Sequence, residues 1–363
     1  MEKRWHGLAL ELSRRHDVLM YSRQDGNLPQ HQTEGRLRHL RTPGFQWSNV
    51  RAVNIAKSAA WALRIAPQLE PADILITNDI LAPVLLPRLK RDLGLVCVEV
   101  ARMPKIHYRW LYHNISRFYC VSSAIVDEMA RVAPRRLPRC LRLPNSTDIN
   151  CFSPTVNHRP VQSRKEILYV GRIHPEKGLD VLLRALPLSR NQDRIFLRLV
   201  GPAIESSGGD PAFAEQLRTT AKQLGLTPDD WALDPPVFDD QALANIYRAS
   251  DIFVYPSQAA RGEASPIAPL EAMACGKACV VSALACFRDT VRHEENGVIV
   301  TSYEPADWAA AFDELIEAPA RLEQMGNRSR ALALDFRIDR IAVRLENDLT
   351  QLLAGKSPSN RPD

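Results

Sequence analysis

From Ile167 onward, short apolar runs alternate with amphipathic helical segments, and few folds accommodate that alternation. Ile167–Val170, Ile195–Val200, Ile252–Tyr255, Ala278–Val281 and Val298–Val300 read as buried strands. Helical patterns lie between them: one opened by Gly178 and running to Leu186, then Pro211–Leu224, Asp240–Ala249 and Pro266–Cys275. The last stops at Gly276, a residue suited to a helix C-terminus. A weak strand leads into the loop Asp234-Pro235-Pro236-Val237-Phe238, and Asn296-Gly297 marks a turn. Strands joined through helices predict an α/β fold with a parallel sheet covered by helices.

The first half carries the same pattern less clearly. Trp5, Leu8, Ala9 and Leu12 define a helical face, and Val18–Tyr21 a short strand. Residues 23–49 are polar and rich in Gly and Pro, so mostly loop. Helix is expected over 50–66 and 82–91, strand over 73–77, 95–100 and 117–122, and a helix capped by Ser122 or Ser123 runs to Val132. A doubly wound domain normally opens with its central strand and a Gly-rich turn, whereas this chain begins in the helix. The N-terminal domain is therefore expected to lack its first strand, leaving the flanking strands without a partner. Met1 then reads as internal to a longer frame, or the gene as truncated. At 363 residues, two domains are expected. Residues 1–143 form the first and 144–336 the second, with Pro144–Pro154 as linker. Two helices close the chain. The last, about 337–353, packs back on the first domain, and 354–363 is a disordered tail.

Charge and cysteine usage exclude several classes. The net charge of +5 is modest, and no aromatic-spaced basic motif points to nucleic acid. The seven cysteines include no CxxC pair, which argues against a zinc ribbon or a dithiol redox site and fits a reducing cytoplasm. Cys275 and Cys279 read as small buried thiols. No run reaches the ~18 apolar residues of a membrane span, and the N-terminus has no signal-peptide core. A GxGxxG turn after a strand is missing, which disfavours a NAD-dependent oxidoreductase.

Three loops then fall at one sheet edge, where strand C-termini meet helix N-termini. Gly171-Arg172-Ile173-His174-Pro175-Glu176-Lys177-Gly178 follows a strand and opens a helix, placing Arg172 and Lys177 where a diphosphate would need neutralising. Taken alone, the segment is equally a plain connection with solvated charges. Ser265 is an N-cap type and Pro266 a favoured first helical residue, so the free N–H groups at Ile267 and Ala268 point at the pocket and attract phosphate. Glu263 precedes that helix end, and Glu271 lies about 9 Å along at 1.5 Å per residue. Two carboxylates bracketing an anion site suit a sugar, a diphosphate and a ribose in line. The third loop is Pro144-Asn145-Ser146-Thr147-Asp148 through Phe152 and Pro154.

These motifs together resemble the retaining GT-B glycosyltransferases of family 4. The GR…KG loop is matched by Gly171-Arg172 and Lys177-Gly178, and the PNGxDxxxFxP linker by Pro144 to Pro154. The ADxxxxPS strand end is matched by Ser250 to Ser257. The E-x7-E motif with AMACG is matched by Glu263, Glu271 and Ala272 to Gly276. The resemblance implies two Rossmann-like domains facing each other across a cleft. It implies a transferase of EC class 2.4 moving a sugar from a nucleoside-diphosphate sugar to a glycan or lipid-linked acceptor, with retention and without a metal or other cofactor. Bacterial cell-surface polysaccharide or lipopolysaccharide synthesis is the implied setting. Glu263, Arg172 and Lys177 would be catalytic. Arg172 and Lys177 would hold the diphosphate, with Ser265, Ile267 and Ala268 also on the donor, Glu271 on the ribose, and Val237 and Phe238 by the base. Departures stand at Ser146, where the family has glycine, and at Ser265-Pro266, where it often has Phe-Gly. In place of a histidine close after the strand ending at Val100, this chain offers Arg102, Lys105 and, further on, His107 as acceptor-side contacts. The basic clusters Arg36/Arg38/Arg41, Arg88/Lys90/Arg91 and Arg135/Arg136/Arg139 read first as solvated faces, and second as peripheral contacts at the inner membrane face. A truncated remnant that binds sugar nucleotide without turnover is the alternative.

Overall fold

The computed structural model describes residues 2–24, 28–45, 48, 50–154 and 164–355. Of the tail expected to be disordered, 356–363 lie outside them, as do 25–27, 46, 47 and 49 of the expected loop. The chain divides into two compact units, Met1–Ser146 with Ile338–Asp363, and Thr147–Arg337.

In the first unit, α1 (Glu2–Ser13) leads into β1 (Val18–Arg23), β2 (His31–Glu34) and β3 (Leu37–Thr42). Then follow α2 (Arg51–Ile65), β4 (Ala72–Thr77), α3 (Ala82–Leu89), β5 (Leu93–Val100), β6 (Arg117–Cys120), α4 (Ser123–Val132) and β7 (Cys140–Arg142). Its strands form two sheets, β1-β3-β2 and the parallel β4-β5-β6-β7. Among the described residues, β1 pairs with β3 alone and β4 with β5 alone. All of β1 is half-buried, as are Ile74, Leu75 and Ile76 of β4.

Strands β2 and β3 correct the expected loop over 23–49. One face of β3 buries Leu37, His39 and Arg41, and the Arg41 guanidinium donates to the Pro29 carbonyl and to Gln32 Oε1. A strand whose inner face is Leu-His-Arg has no apolar alternation to read. On the other sheet, Cys97 and Glu99 of β5 face α1 and the chain's final helix, Ile338–Leu353. Glu99 is buried and meets Arg4 and Trp5 Nε1, while Asp348 of the final helix accepts from Arg117 and Tyr119.

The second unit holds β8 (Lys165–Val170), α5 (Leu179–Ala185), β9 (Ile195–Val200), α6 (Pro211–Gln223), β10 (Trp231–Asp234), α7 (Asp240–Ala249), β11 (Ile252–Tyr255), α8 (Ile267–Ala274), β12 (Ala278–Ser282) and β13 (Gly297–Val300). It closes with α9 (Pro305–Glu317) and α10 (Pro319–Ala333), and the final helix is α11. The sheet is parallel throughout, in the order β10-β9-β8-β11-β12-β13. Counted from β8 this is 3-2-1-4-5-6, so the chain reverses direction across the sheet between β8 and β11. Such a switch point is where open α/β sheets bind their ligands, outside the C-terminal ends of the strands. Three helices close the chain where two were expected. The break before α11 is tertiary in origin: Thr147 N donates to the Phe336 carbonyl and Thr147 bridges Arg337.

Buried Asp313 on α9 accepts from Ser189 Oγ, from the backbone N–H groups of Arg190 and Asn191, and from Asn191 Nδ2. Burial alone would raise its pKa, but these hydrogen bonds outweigh it and hold the carboxyl below its ordinary value. The resulting stability is complete above the unfolded-state pKa and is lost as pH falls through the lower folded-state one. Asp313→Ala in the full chain is expected to cost about 3 kcal/mol at neutral pH, since hydrogen bonds to a buried charge are lost. Urea curves against pH test this: the variant should lose less stability on acidification than the parent, and identical profiles would refute it.

Candidate functional site

Residues 171–178 leave β8 and are pinned to the loop after β9, with Gly171 N donating to the Val200 carbonyl (3.0 Å) and Ile173 N to that of Pro202 (2.9 Å). A 3-10 turn at Pro175–Lys177 is capped by His174 Nδ1 and closes at Gly178, whose φ is 65°. A Cβ at Gly178 would lie 2.5 Å from the Pro256 carbonyl oxygen, so the position needs glycine for both conformation and space. Glu176 also joins the loops after β8 and β11, its carbonyl accepting from Gln258 N (2.8 Å).

Across this junction, buried Lys177 and buried Glu263 form an ion pair. Glu263 Oε1 also accepts from Tyr255 Oη and Ser257 Oγ, each at 3.1 Å, while Oε2 accepts from no described residue. The ammonium of Lys177 stands 5.6 Å from the Tyr255 ring centroid. Tyr255 in turn packs on Tyr169 at 5.4 Å, and Tyr169 Oη donates to the Arg172 carbonyl (2.9 Å). Burial drives both phenols well above their ordinary pKa, so they stay protonated and serve as donors.

The guanidinium of Arg172 donates to the Gly208 carbonyl (3.0 Å) and to Glu176 Oε1 (2.6 Å), and Lys177 Nζ lies 3.7 Å from that same carboxylate oxygen. The two cations expected to stand ready for an anion are thus each held by an acid. Arg172, Lys177, Glu176 and Glu263 balance to zero charge, and two carboxylates must yield for a phosphate to enter.

Helix α8 begins one residue later than expected. Pro266, not Ser265, is the N-cap, with ψ at 139°, and no side chain caps the helix. The N–H groups of Ile267 and Ala268 are the donors at this end, because the third helical residue is Pro269. With proline at the N-cap as well, this end offers one N–H fewer than a helix start usually does. Half-buried Glu271, one turn along, accepts from Tyr247 Oη at 2.9 Å. Val237 and Phe238 follow β10 at the same C-terminal edge, Val237 packed against the core and Phe238 73% exposed.

The structure therefore gathers Arg172, Lys177 and Glu263 directly, and sets Ser265, Val237 and Phe238 on neighbouring loops and Ile267, Ala268 and Glu271 on helix α8 at the same sheet edge. Arg102, Lys105 and His107 belong to the other unit, after β5: Arg102 and Lys105 are exposed, and the His107 ring packs 5.0 Å from Tyr108 and 5.8 Å from Tyr112. Sequence reading missed Glu176, Tyr255 and Ser257. Glu176 stands next to Lys177 and could have been weighed as its counter-ion, but Tyr255 reads simply as the last apolar residue of a strand.

Residues 156–332 match the family model described as glycosyl transferases group 1. Over 181 residues, 48% of this chain and 41% of the relative, the sequence is 35% identical to D-inositol 3-phosphate glycosyltransferase of Thermomonospora curvata. The protein of the same name from Thermobispora bispora is 33% identical over 192 residues, 52% of this chain and 43% of the relative. The chain spans less than half the length of these curated relatives. Sucrose-phosphate synthase of Thermosynechococcus elongatus is similar in structure with a TM-score of 0.83 at 20% identity, covering 98% of this chain and 93% of that one. Anabaena HepE in complex with UDP and glucose gives 0.74 at 17%, covering 95% of each. At such identities the likeness is one of fold, and the fold is GT-B.

Proposed function

We propose that this chain is a glycosyltransferase of EC class 2.4 that moves a sugar, with retention, from a nucleoside-diphosphate sugar to a hydroxyl of a glycan or lipid-linked acceptor. The observation that carries the reading is the buried Lys177–Glu263 pair beside Arg172–Glu176 at the switch point of the second sheet. The match to group 1 glycosyl transferases over these same residues supports it. Arg172, Lys177 and the N–H groups of Ile267 and Ala268 would take the diphosphate, with Ser265 beside them. Glu263 would turn Oε2 to a sugar hydroxyl and Glu271 would accept from the ribose, with the base near Val237 and Phe238. As the anomeric carbon–oxygen bond breaks, negative charge grows on the leaving phosphate, and Arg172 and Lys177, exchanged from their carboxylate partners onto the diphosphate when the donor binds, stabilise it. The acceptor hydroxyl attacks the same face and its proton passes to the departing phosphate oxygen. Because protein cations meet the charge, no resident metal or other cofactor is invoked. Arg102, Lys105 and His107 are assigned to the acceptor. The setting assigned is bacterial cell-surface polysaccharide or lipopolysaccharide synthesis, inside the cell at or near the membrane; of this, the bacterial origin alone has support from the relatives named above.

A panel of UDP-, GDP- and ADP-sugars tests this by thermal stabilisation and by release of nucleoside diphosphate. One class should stabilise the chain, and Glu271→Ala should weaken its calorimetric affinity at least about 10-fold, as expected for lost hydrogen bonds to a charged group. EDTA should leave turnover intact. Absence of binding by every donor would overturn the reading. Binding without turnover would favour the non-catalytic alternative, which the divided sheet of the first unit supports.

A further inference from the structure

Two basic segments of the first unit, with exposed apolar tips, adjoin each other in the fold. No Asp or Glu occurs from Ala101 to Val126 or from Met129 to Thr147. The fold brings these segments together: Arg136 Nη2 donates to the Arg109 carbonyl (3.3 Å), and Arg139 Nη1 to those of His113 (3.0 Å) and Ile115 (2.8 Å). Beneath them Tyr108, Tyr112 and Phe118 interlock, with Tyr108 and Tyr112 centroids 4.8 Å apart and Tyr112 Oη donating to the Ile80 carbonyl (2.7 Å). On this braced base Trp110 is 63% exposed, Ile106 58% and Leu137 39%.

A single exposed apolar residue needs no explanation. Three on adjoining basic segments that carry no acid of their own differ, because tryptophan and aliphatic tips beside arginines match the boundary between lipid headgroups and acyl chains. The other basic clusters have an acid within two residues in sequence, Glu34 before Arg36 and Asp92 after Arg91. Arg38 is paired with Glu70, Arg41 is buried, and Lys90 faces Asp92, whereas Arg109 and Arg135 form no ion pair among the described residues. We propose that this face docks on an anionic lipid bilayer, with Trp110, Ile106 and Leu137 entering the interface and Arg109 and Arg135 on headgroup phosphates. The proposal gives the peripheral contact of the reading above a location, but its test needs neither a sugar nucleotide nor turnover, so the two can fail separately.

The experiment is co-sedimentation of the full chain with vesicles of phosphatidylglycerol and phosphatidylethanolamine, and with vesicles of phosphatidylcholine alone. Binding should be confined to the anionic vesicles and should weaken with salt. Neutralising two basic residues, Arg109→Gln with Arg135→Gln, should reduce it about 30-fold at ~1 kcal/mol per charge. Ile106→Ser with Trp110→Ser should reduce it comparably without shifting the thermal midpoint, and Leu137→Ser serves if that pair fails to fold. Equal binding to both vesicle types overturns the proposal, as does no binding. Vesicle binding untouched by the serine variants overturns it too. So does a short DNA duplex that competes fully, since the face would then bind phosphate polymers and not a bilayer.

Discussion

Lys177→Ala is expected to lower kcat/KM for sugar transfer about 1,000-fold, the upper range for removing one preorganised donor to a developing anion. It should also destabilise the chain by about 3–5 kcal/mol, because Glu263 would be left buried with two hydroxyl partners and no counter-ion. The two effects separate in a second variant. Lys177→Met with Glu263→Gln removes both charges, so it should recover most of the stability and none of the transfer. Urea unfolding and initial rates of nucleoside diphosphate release, with the donor identified from the panel, provide both readouts. Equal stability of the single and double variants would show that the pair is not coupled by burial. Unchanged kcat/KM in Lys177→Ala would remove the central cation from the mechanism.

Gly201→Ala should be among the most damaging small substitutions in the chain, at about 4 kcal/mol. Its φ of 158° is one that side chains rarely allow, and the lack of space adds the larger cost. A Cβ there would fall 1.8 Å from the Gly171 carbonyl oxygen, a backbone atom that cannot swing aside. To relieve the overlap, the loop carrying Arg172 and Lys177 must part from the loop after β9, so nucleotide-sugar binding should weaken even at temperatures where the variant is folded. Gly225→Ala is the contrast. Its φ is 73° and nothing lies within 4 Å of the added Cβ. It should cost about 1–2 kcal/mol for left-handed backbone alone and leave binding unchanged. Equal losses in the two variants would mean that the close approach of Gly171 and Gly201 is not what holds the loops.

Much of this molecule is legible along the chain because its signals are local. The 3.6-residue period of α7, the apolar run of β11 and the glycine after α8 each depend on neighbours within a few residues, and those expectations hold to within a residue or two. The motifs around Arg172, Lys177, Glu263 and Glu271 were visible for the same reason: each sits at a strand end or a helix start that its own segment defines. The strand pair β2–β3 was missed because it buries His39 and Arg41, polar side chains that pack inward only when tertiary partners satisfy them.

Residue type and spacing were thus enough to establish the parallel α/β layers and the residues that could meet an anion. Tertiary structure alone decided how those residues are paired. Lys177 and Glu263 are 86 positions apart, and nothing between them specifies that β8 and β11 become neighbours at the reversal of strand order. Once they do, the close approach at Gly178 forces the two loops together, and a low-dielectric contact turns two separate ions into one buried pair held by Tyr255 and Ser257.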